Sequence, residues 1–322
     1  MNHIPVYRVE RLTAGRLKDL ETLHRAVYGA RPAKQLYPRK YNASCTPVSY
    51  TGYLAYSPDN TPIAYYGVMP CFIQYKDRLI LSAQSGDTMT HPHYRMKGMF
   101  VELANLTFEL CRTSGIKLVF GFPNQNSYRG LLKLGWEGAE TMERFTIPIG
   151  RSGPRSILRQ PGLLRSLSRR SGLLRSVYNK YTGWMIHRYA VSQQGLSNAV
   201  IAEGYGGVYR DPSYLQYRTY NNTQVIRAGN ALAWIRIKDG LFIGDLHVED
   251  IDFDEAMHVI RKMASRIGLS SITFQSSPGT HLHTLFAERY RGEPSFPILF
   301  KDLGSGLPLQ HIKFTFSDID IF

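Results

Sequence analysis

The 322-residue chain has only three cysteines, Cys45, Cys71 and Cys111, with no Cys-x-x-Cys pair and no Cys/His spacing suited to a metal. That shortage excludes a disulfide framework and a zinc centre, and the expected setting is the reducing cytoplasm. No uninterrupted apolar run approaches the length of a membrane span. The opening residues, Met-Asn-His-Ile-Pro-Val-Tyr-Arg, lack the apolar core of a signal peptide. Acidic residues are also short, 25 against 39 Lys plus Arg, for a net charge of +14. Between 151 and 190 they are missing altogether, while Arg151, Arg155, Arg159, Arg165, Arg169, Arg170, Arg175, Lys180 and Arg188 stand there. The basic excess therefore comes mostly from one segment. What is present, 43% hydrophobic and 12% aromatic residues, can fill the cores of two ordinary domains and excludes wholesale disorder.

Along the chain, Thr13 can cap a helix running to about Tyr28, with Leu17, Leu20, His24 and Val27 at helical spacing. Three β-rich runs follow at 51–57, 61–75 and 78–90, separated by the short turns Pro-Asp-Asn and Lys-Asp, which predicts an antiparallel meander. A helix is expected from Gly98 to Thr113 with Met99, Phe100, Leu103, Leu106 and Leu110 inward, stopped by Ser114-Gly115. A short strand (116–124), a helix (126–135) capped by Asn126 or Ser127, and a hairpin (136–150) complete the unit.

The basic segment repeats GLLRSL (162–167) as GLLRSV (172–177), and Leu174, Tyr178, Tyr181 and Met185 mark an amphipathic helix. After residue 200 the first half recurs in weaker form: PRKYNAS (38–44) has an echo in QYRTYNN (216–222), and strands, helix, strand, helix and strand follow in the same order. The expected organisation is residues 1–150, a basic linker over 151–200, and a degenerate copy over 201–322.

The two halves differ at one junction. In the first, THPHYRMKGMF (90–100) loads Arg95 and Lys97 beside Gly98 at a helix start, where unpaired N–H groups already carry partial positive charge. Cations there make sense if a strongly anionic group docks, with glycine permitting close main-chain approach. In the second, the same place holds Glu249, Asp250, Asp252, Asp254 and Glu255, which suits the helix dipole but repels a phosphate. The Arg-x-x-Gly tetrad alone is equally compatible with a solvated helix start.

HPHYRMKGMF, taken with GFPNQNSYRGLLKLGWE (121–137, in the following strand and helix), resembles the acetyl-CoA core of the GNAT superfamily of N-acetyltransferases over roughly residues 1–150. The resemblance implies an α/β (α+β) fold, a mixed, mostly antiparallel sheet flanked by helices and duplicated as two such domains. It implies that the N–H groups of Arg95, Met96, Lys97, Gly98, Met99 and Phe100 cradle the pyrophosphate of acetyl-CoA, and that the strand around Met89 and Thr90 pairs with the pantetheine arm. Phe100 departs from the small residue usual there, so packing at that point must differ. The implied reaction is direct attack of a small amine on the thioester, which needs a base, an oxyanion donor and an acid for the thiolate. Asp87, the one carboxylate in SAQSGDTMTHP, is the candidate base, or else a solvated strand-end residue. The position of the family's usual tyrosine is Leu131; Tyr128, one turn earlier, is the candidate acid, or else packs the helix. Asn124 and Asn126 contact the coenzyme arm or cap the helix. No metal is expected.

Paired domains of this type also occur in Fem-type transferases, which use aminoacyl-tRNA and a cell-wall precursor; a catalytically inactive coenzyme-A-binding protein is a third reading. The acceptor pocket, shaped by the second half, could include Tyr205, Tyr209, Tyr214 and Tyr217, residues that sheet packing would equally explain. For the basic segment (151–190) a solvated connector comes first, contact with a membrane surface second and nucleic acid last, since 151–177 holds no aromatic residue.

Overall fold

The computed structural model describes residues 7–150, 172–192 and 196–322. The basic stretch 151–171, including the first arm of the GLLRS repeat, lies outside them. In chain order the elements are β1 (Arg8–Arg11), α1 (Leu17–Tyr28), α2 (Leu36–Tyr41), β2 (Thr51–Tyr56), β3 (Pro62–Tyr75), β4 (Arg78–Thr90), α3 (Met99–Thr113), β5 (Leu118–Gly121), α4 (Gln125–Lys133) and β6 (Glu137–Pro148). Then come α5 (Gly172–His187), α6 (Ala199–Ala202), β7 (Gly207–Val208), α7 (Pro212–Tyr217), β8 (Thr223–Ala228), β9 (Ala231–Ile237), β10 (Leu241–His247), α8 (Phe253–Ile267), β11 (Ser271–Ser276), α9 (His281–Ala287) and β12 (Gly292–Asp302). Among the described residues no helix is long and apolar enough to cross a membrane.

The expected mixed, mostly antiparallel sheet flanked by helices is present. Two compact units draw on interleaved stretches of chain. The first comprises Met1–Thr141, Gly204–Tyr220 and Phe296–Ile312. Its strands run β1-β2-β3-β4-β5-β12, parallel only between β4 and β5, with β7 added to β3. Alternation along β2 and β3 sends Leu54, Tyr56, Tyr65 and Met69 to one face, where α1 and α2 pack Leu17, Leu20, Leu23, Tyr37 and Tyr41. Ala55, Tyr66 and Val68 face the other way, against Met99, Leu103, Ala104 and Phe108 of α3.

The second unit comprises Met142–Glu203, Asn221–Ser295 and Lys313–Phe322, with strands β6-β11-β10-β9-β8, parallel only between β10 and β11. Its core gathers Phe145, Ile147, Phe253, Ile260, Phe274 and Phe286. The element order β8-β9-β10-α8-β11-α9-β12 repeats β2-β3-β4-α3-β5-α4-β6. In each unit the strand beside the parallel pair comes from the other half of the chain: residues 299–302 of β12 pair with β5, and 143–148 of β6 pair with β11.

Three local expectations change. The segment 136–150 is one continuous strand, not a hairpin, because Met142, Phe145 and Ile147 are buried along it and no turn pair interrupts it. The buried stripe of α3 is Met99, Leu103, Ala104, Thr107, Phe108 and Cys111; Leu106 is exposed and Leu110 and Phe100 only half-buried, since 3.6-residue periodicity carries the face through Phe108. Thr13 makes no side-chain cap; a short 3-10 turn over Ala14–Arg16 leads into α1.

Candidate active site

The site begins with an irregularity in β4. Pairing with β3 passes from Gly67↔Gly86 to Tyr65↔Met89, so β4 spends one residue more than its partner. The surplus is absorbed at Asp87, whose φ is +54°, a bulge that re-aims the side chain. On the other edge β4 pairs with β5 only through Ser82–Ser85. Beyond Gly121 the chain leaves the sheet through Phe122-Pro123 for α4, so residues 86–90 have no β5 partner on that edge. Met89 and Thr90 lie there, still paired to Tyr65 and Ala64 on the β3 side. An extended polar chain could be received along this edge by main-chain hydrogen bonds.

The splayed edge leads into the basic turn. Pro92–Tyr94 form one 3-10 turn, capped by His91, whose Nδ1 accepts from the His93 N–H at 3.3 Å. Met96 and Gly98 then take φ of +62° and +81°, reversing the chain so that successive N–H groups converge. An added Cβ at Gly98 would meet nothing within 4 Å, so glycine is needed there for its conformation and not for space. The Val101 and Glu102 N–H groups both reach the Gly98 carbonyl, at 3.0 and 3.2 Å. Those of Arg95 to Phe100 donate to no main-chain carbonyl among the described residues. Arg95 lays its Nε toward the Thr90 carbonyl at 3.5 Å, and Lys97 places Nζ 5.0 Å from the Tyr94 ring centroid. Glu102, the one carboxylate of the first turn, is engaged by the Tyr7 hydroxyl. The result is an exposed, positively biased nest suited to a polyanion.

Phe100 fits because of a second glycine. Its ring packs against Gly130 of α4, where a Cβ would come within 3.0 Å of Cε1. The glycine gives up side-chain volume on α4 to make room for the large residue on α3.

Asp87 stands on the α1/α2 side of the sheet, and the residues it meets there escaped the sequence reading. Its Oδ2 accepts from Lys40 Nζ at 2.7 Å and from the Tyr41 hydroxyl at 2.8 Å. Lys40 is 4% exposed at its side chain and Asp87 22%, so the pair is mostly withdrawn from water while the carboxylate keeps an opening. Tyr37, one turn earlier on α2, shares a 2.6 Å hydrogen bond with His24 Nδ1. Burial is the largest influence lowering the His24 pKa, and it also raises the Tyr41 hydroxyl well above its ordinary value, with Asp87 adding to the rise. The Tyr217 hydroxyl donates to the Lys40 carbonyl. In the sequence Lys40 and Tyr41 stand only in PRKYNAS (38–44), which reads there as half of a repeat.

The remaining candidates separate. Asn124 caps α4, its Oδ1 accepting from the N–H groups of Asn126 (2.9 Å) and Ser127 (3.2 Å); Asn126 is exposed. Tyr128 is half-buried on the α3/α4 side, its hydroxyl 4.0 Å from where a Gly138 Cβ would sit. No hydrogen bond joins it to Asp87 among the described residues. Leu131 is core. No cluster of His, Cys, Asp or Glu among the described residues could hold a metal.

The second unit repeats the geometry and not the chemistry. β10 carries an extra residue between Ile243 and Asp245, and Asp245 is fully buried, accepting from the N–H groups of Leu246 (2.8 Å) and Ala199 (3.3 Å). At the α8 start, Asp250 meets His281 at 2.7 Å, Asp252 meets Asn230 at 3.1 Å and Asp254 meets Arg289 at 2.8 Å. Carboxylates and their own partners fill the place that is open and basic in the first unit.

A splayed parallel pair, a strand bulge and an N–H nest ahead of a long helix fit the resemblance the sequence shows. Residues 8–139 match the family described as acetyltransferase (GNAT) domain, and this chain carries a GNAT domain there. Solved structures share the fold at low identity. One is a probable N-acyltransferase from Enterococcus faecalis V583 (13% identity, TM-score 0.58, covering 93% of this chain and 73% of that one). Another is a GCN5-related N-acetyltransferase from Anabaena variabilis ATCC 29413 (14%, 0.55, 92% and 73%). A third is Saccharomyces cerevisiae N-myristoyltransferase with bound myristoyl-CoA (8%, 0.54, 94% and 81%). No curated protein sequence matches this one.

Proposed function

We propose that this protein transfers an acyl group, most simply acetyl, from an acyl-CoA thioester to the nitrogen of a small-molecule amine such as an amino sugar or amino acid. The observation that carries the reading is the continuity of three features: the β4 edge open at 86–90, Asp87 on its bulge, and the N–H nest at 95–100. In this reading the main chain of Met89 and Thr90 holds the pantetheine arm. The N–H groups from Arg95 to Phe100 hold the pyrophosphate. Asp87 accepts a hydrogen bond from the incoming amine and orients its lone pair toward the acyl carbon. Tyr128, on the α4 helix that follows the splay, is the proposed proton donor to the departing thiol, and Asn126 the one asparagine left over for the coenzyme arm, Asn124 being engaged as a cap.

The second half is read as a degenerate copy of the first: its junction is acidic and internally paired, so a single coenzyme site per chain is expected. The acidic contrast also favours coenzyme-dependent transfer over a Fem-type reaction, which has no need of a pyrophosphate nest. A catalytically inactive coenzyme-binding protein is the reading that survives if binding occurs without turnover. Release of free thiol from acetyl-CoA across a panel of amines tests the proposal. Gly98→Glu should abolish coenzyme binding by placing a carboxylate in the nest, and normal affinity in that variant refutes the pyrophosphate assignment. Asp87→Asn should slow turnover with little change in coenzyme affinity.

A further inference from the structure

Asp87 does not face the acceptor as a bare charge. Lys40 Nζ, nearly sealed from solvent, sits 2.7 Å from Oδ2, and the Tyr41 hydroxyl occupies the same oxygen. Oδ1 takes no partner among the described residues. The neighbouring His24 is held toward its neutral form by burial and hydrogen-bonded to Tyr37, so it adds no compensating charge. Lys40 is also fixed through its backbone, since the buried Tyr217 hydroxyl donates to its carbonyl and the residue closes the buried face of α2. The ammonium is therefore a built component of the site and not a surface side chain that an acceptor could displace.

This has a consequence for substrate class, resting on the acyl-transfer reading of the same site. An alkyl ammonium, such as one end of a diamine or a lysine side chain, arrives protonated and requires uncompensated carboxylate both to bind it and to take its proton. Here it meets a neutral pair and, a few ångströms further, another cation in a poorly solvated setting. A weakly basic amine brings no such conflict. An α-amine with pKa ≈ 7.7–8.0 is neutral in roughly a tenth of molecules at pH 7, against under about a thousandth for a lysine-like amine at ≈ 10.4.

We infer that Lys40 is a specificity-determining residue, and that by matching the charge of Asp87 it restricts acceptors to weakly basic amines, of the amino-sugar or blocked α-amino type, and excludes alkyl di- and polyamines. In the transfer the amine lone pair forms the C–N bond to the acyl carbon and the thioester C–S bond breaks. The proton shed by nitrogen passes by way of Asp87 Oδ1 to water, and the sulfur leaves as thiolate and takes a proton. Only a weak base is needed, because the nitrogen becomes acidic once the bond has formed.

The test compares kcat/KM for glucosamine, an amino acid methyl ester and putrescine, by thiol release at pH 7, in the wild type, Lys40→Gln and Lys40→Arg, with coenzyme affinity measured by calorimetry in each. The wild type should favour the two weak amines over putrescine by at least about tenfold, and Lys40→Gln should shrink that ratio about tenfold at unchanged coenzyme affinity, because the freed carboxylate now attracts an ammonium. Lys40→Arg, which keeps the charge, should keep the ratio. A wild-type preference for putrescine, or a ratio unmoved by Lys40→Gln, overturns the inference. If Lys40→Gln does not fold, the wild-type ratio alone decides. A wild type that binds no coenzyme removes the acyl-transfer reading itself, an outcome distinct from coenzyme binding with the wrong amine preference.

Discussion

Gly130→Ala isolates the contact that lets Phe100 stand beside the anion nest. Two effects oppose each other. In an unhindered helix the alanine would be favoured by about 1 kcal/mol, because glycine gives up more backbone entropy. Here its Cβ would lie 3.0 Å from Phe100 Cε1, closer than packed carbon atoms rest, and the half-buried ring also contacts Tyr66. Overpacking of this kind costs about 1–3 kcal/mol, so a net loss of up to about 2 kcal/mol is expected. A ring pushed away from α4 strains the Phe100 backbone that carries it, and Phe100 supplies the last N–H of the nest. Coenzyme affinity should therefore fall about tenfold, equivalent to about 1.4 kcal/mol. Phe100→Ala alone removes a half-buried ring and should cost about 2 kcal/mol. In the double variant the clash is gone, so the two effects should fall short of additivity by about 1–2 kcal/mol. Thermal denaturation and calorimetric titration with coenzyme A read both quantities. Should Gly130→Ala prove more stable than the wild type, with affinity unchanged and strictly additive energies in the cycle, the packing argument is wrong.

Three further predictions follow from other parts of the molecule. His24 has a lowered pKa chiefly because it is buried, so below the unfolded value of about 6.5 the unfolded chain takes up a proton that the folded one resists. Stability should decline from there until the pH passes the folded value, and His24→Gln should flatten the slope of urea midpoint against pH between 7.5 and 5.5; an unchanged slope excludes His24 as its source. Leu299 is fully buried against the α3-side core, so Leu299→Ala should cost about 2–4 kcal/mol and lower coenzyme affinity although it lies far along the chain from the nest. Wild-type coenzyme affinity in that variant would show that β12 does not support the site. The exposed face of α5 carries Lys180 and Trp184, and Arg188 just past its end sets its guanidinium 5.4 Å from the Trp184 ring centroid, while Met185 and Ile186 are buried. If the basic segment contacts membranes, the protein should float with phosphatidylglycerol vesicles and not with phosphatidylcholine ones, and Trp184→Ala should weaken the association; equal recovery with both lipids would speak for a plain connector.

Much of the first unit could be read from residues alone because its signals are local. Alternation in 61–75 and 78–90 with a Lys-Asp turn between them makes a hairpin whatever surrounds it, and Gly98 followed by an apolar stripe sets a helix start with a nest ahead of it. Even the contrast between a basic junction and an acidic one needed only composition. Other features had no local signature. Period-two alternation in 137–148 marks a strand but does not name its neighbour, so a predicted hairpin proved to be one strand pairing with β11, while β5 took β12 from the far end of the chain. The surroundings of Asp87 were equally invisible: it looked alone because Lys40 and Tyr41 reach it from α2 on the same face of the sheet, with His24 beside them on Tyr37. The sequence by itself determined most of the strands and helices of the first unit and the basic glycine turn ahead of α3, since those depend on neighbours a few residues away. Only the tertiary structure decided which strand completes which sheet and which cation stands against the carboxylate, because those choices are made by packing between segments distant along the chain.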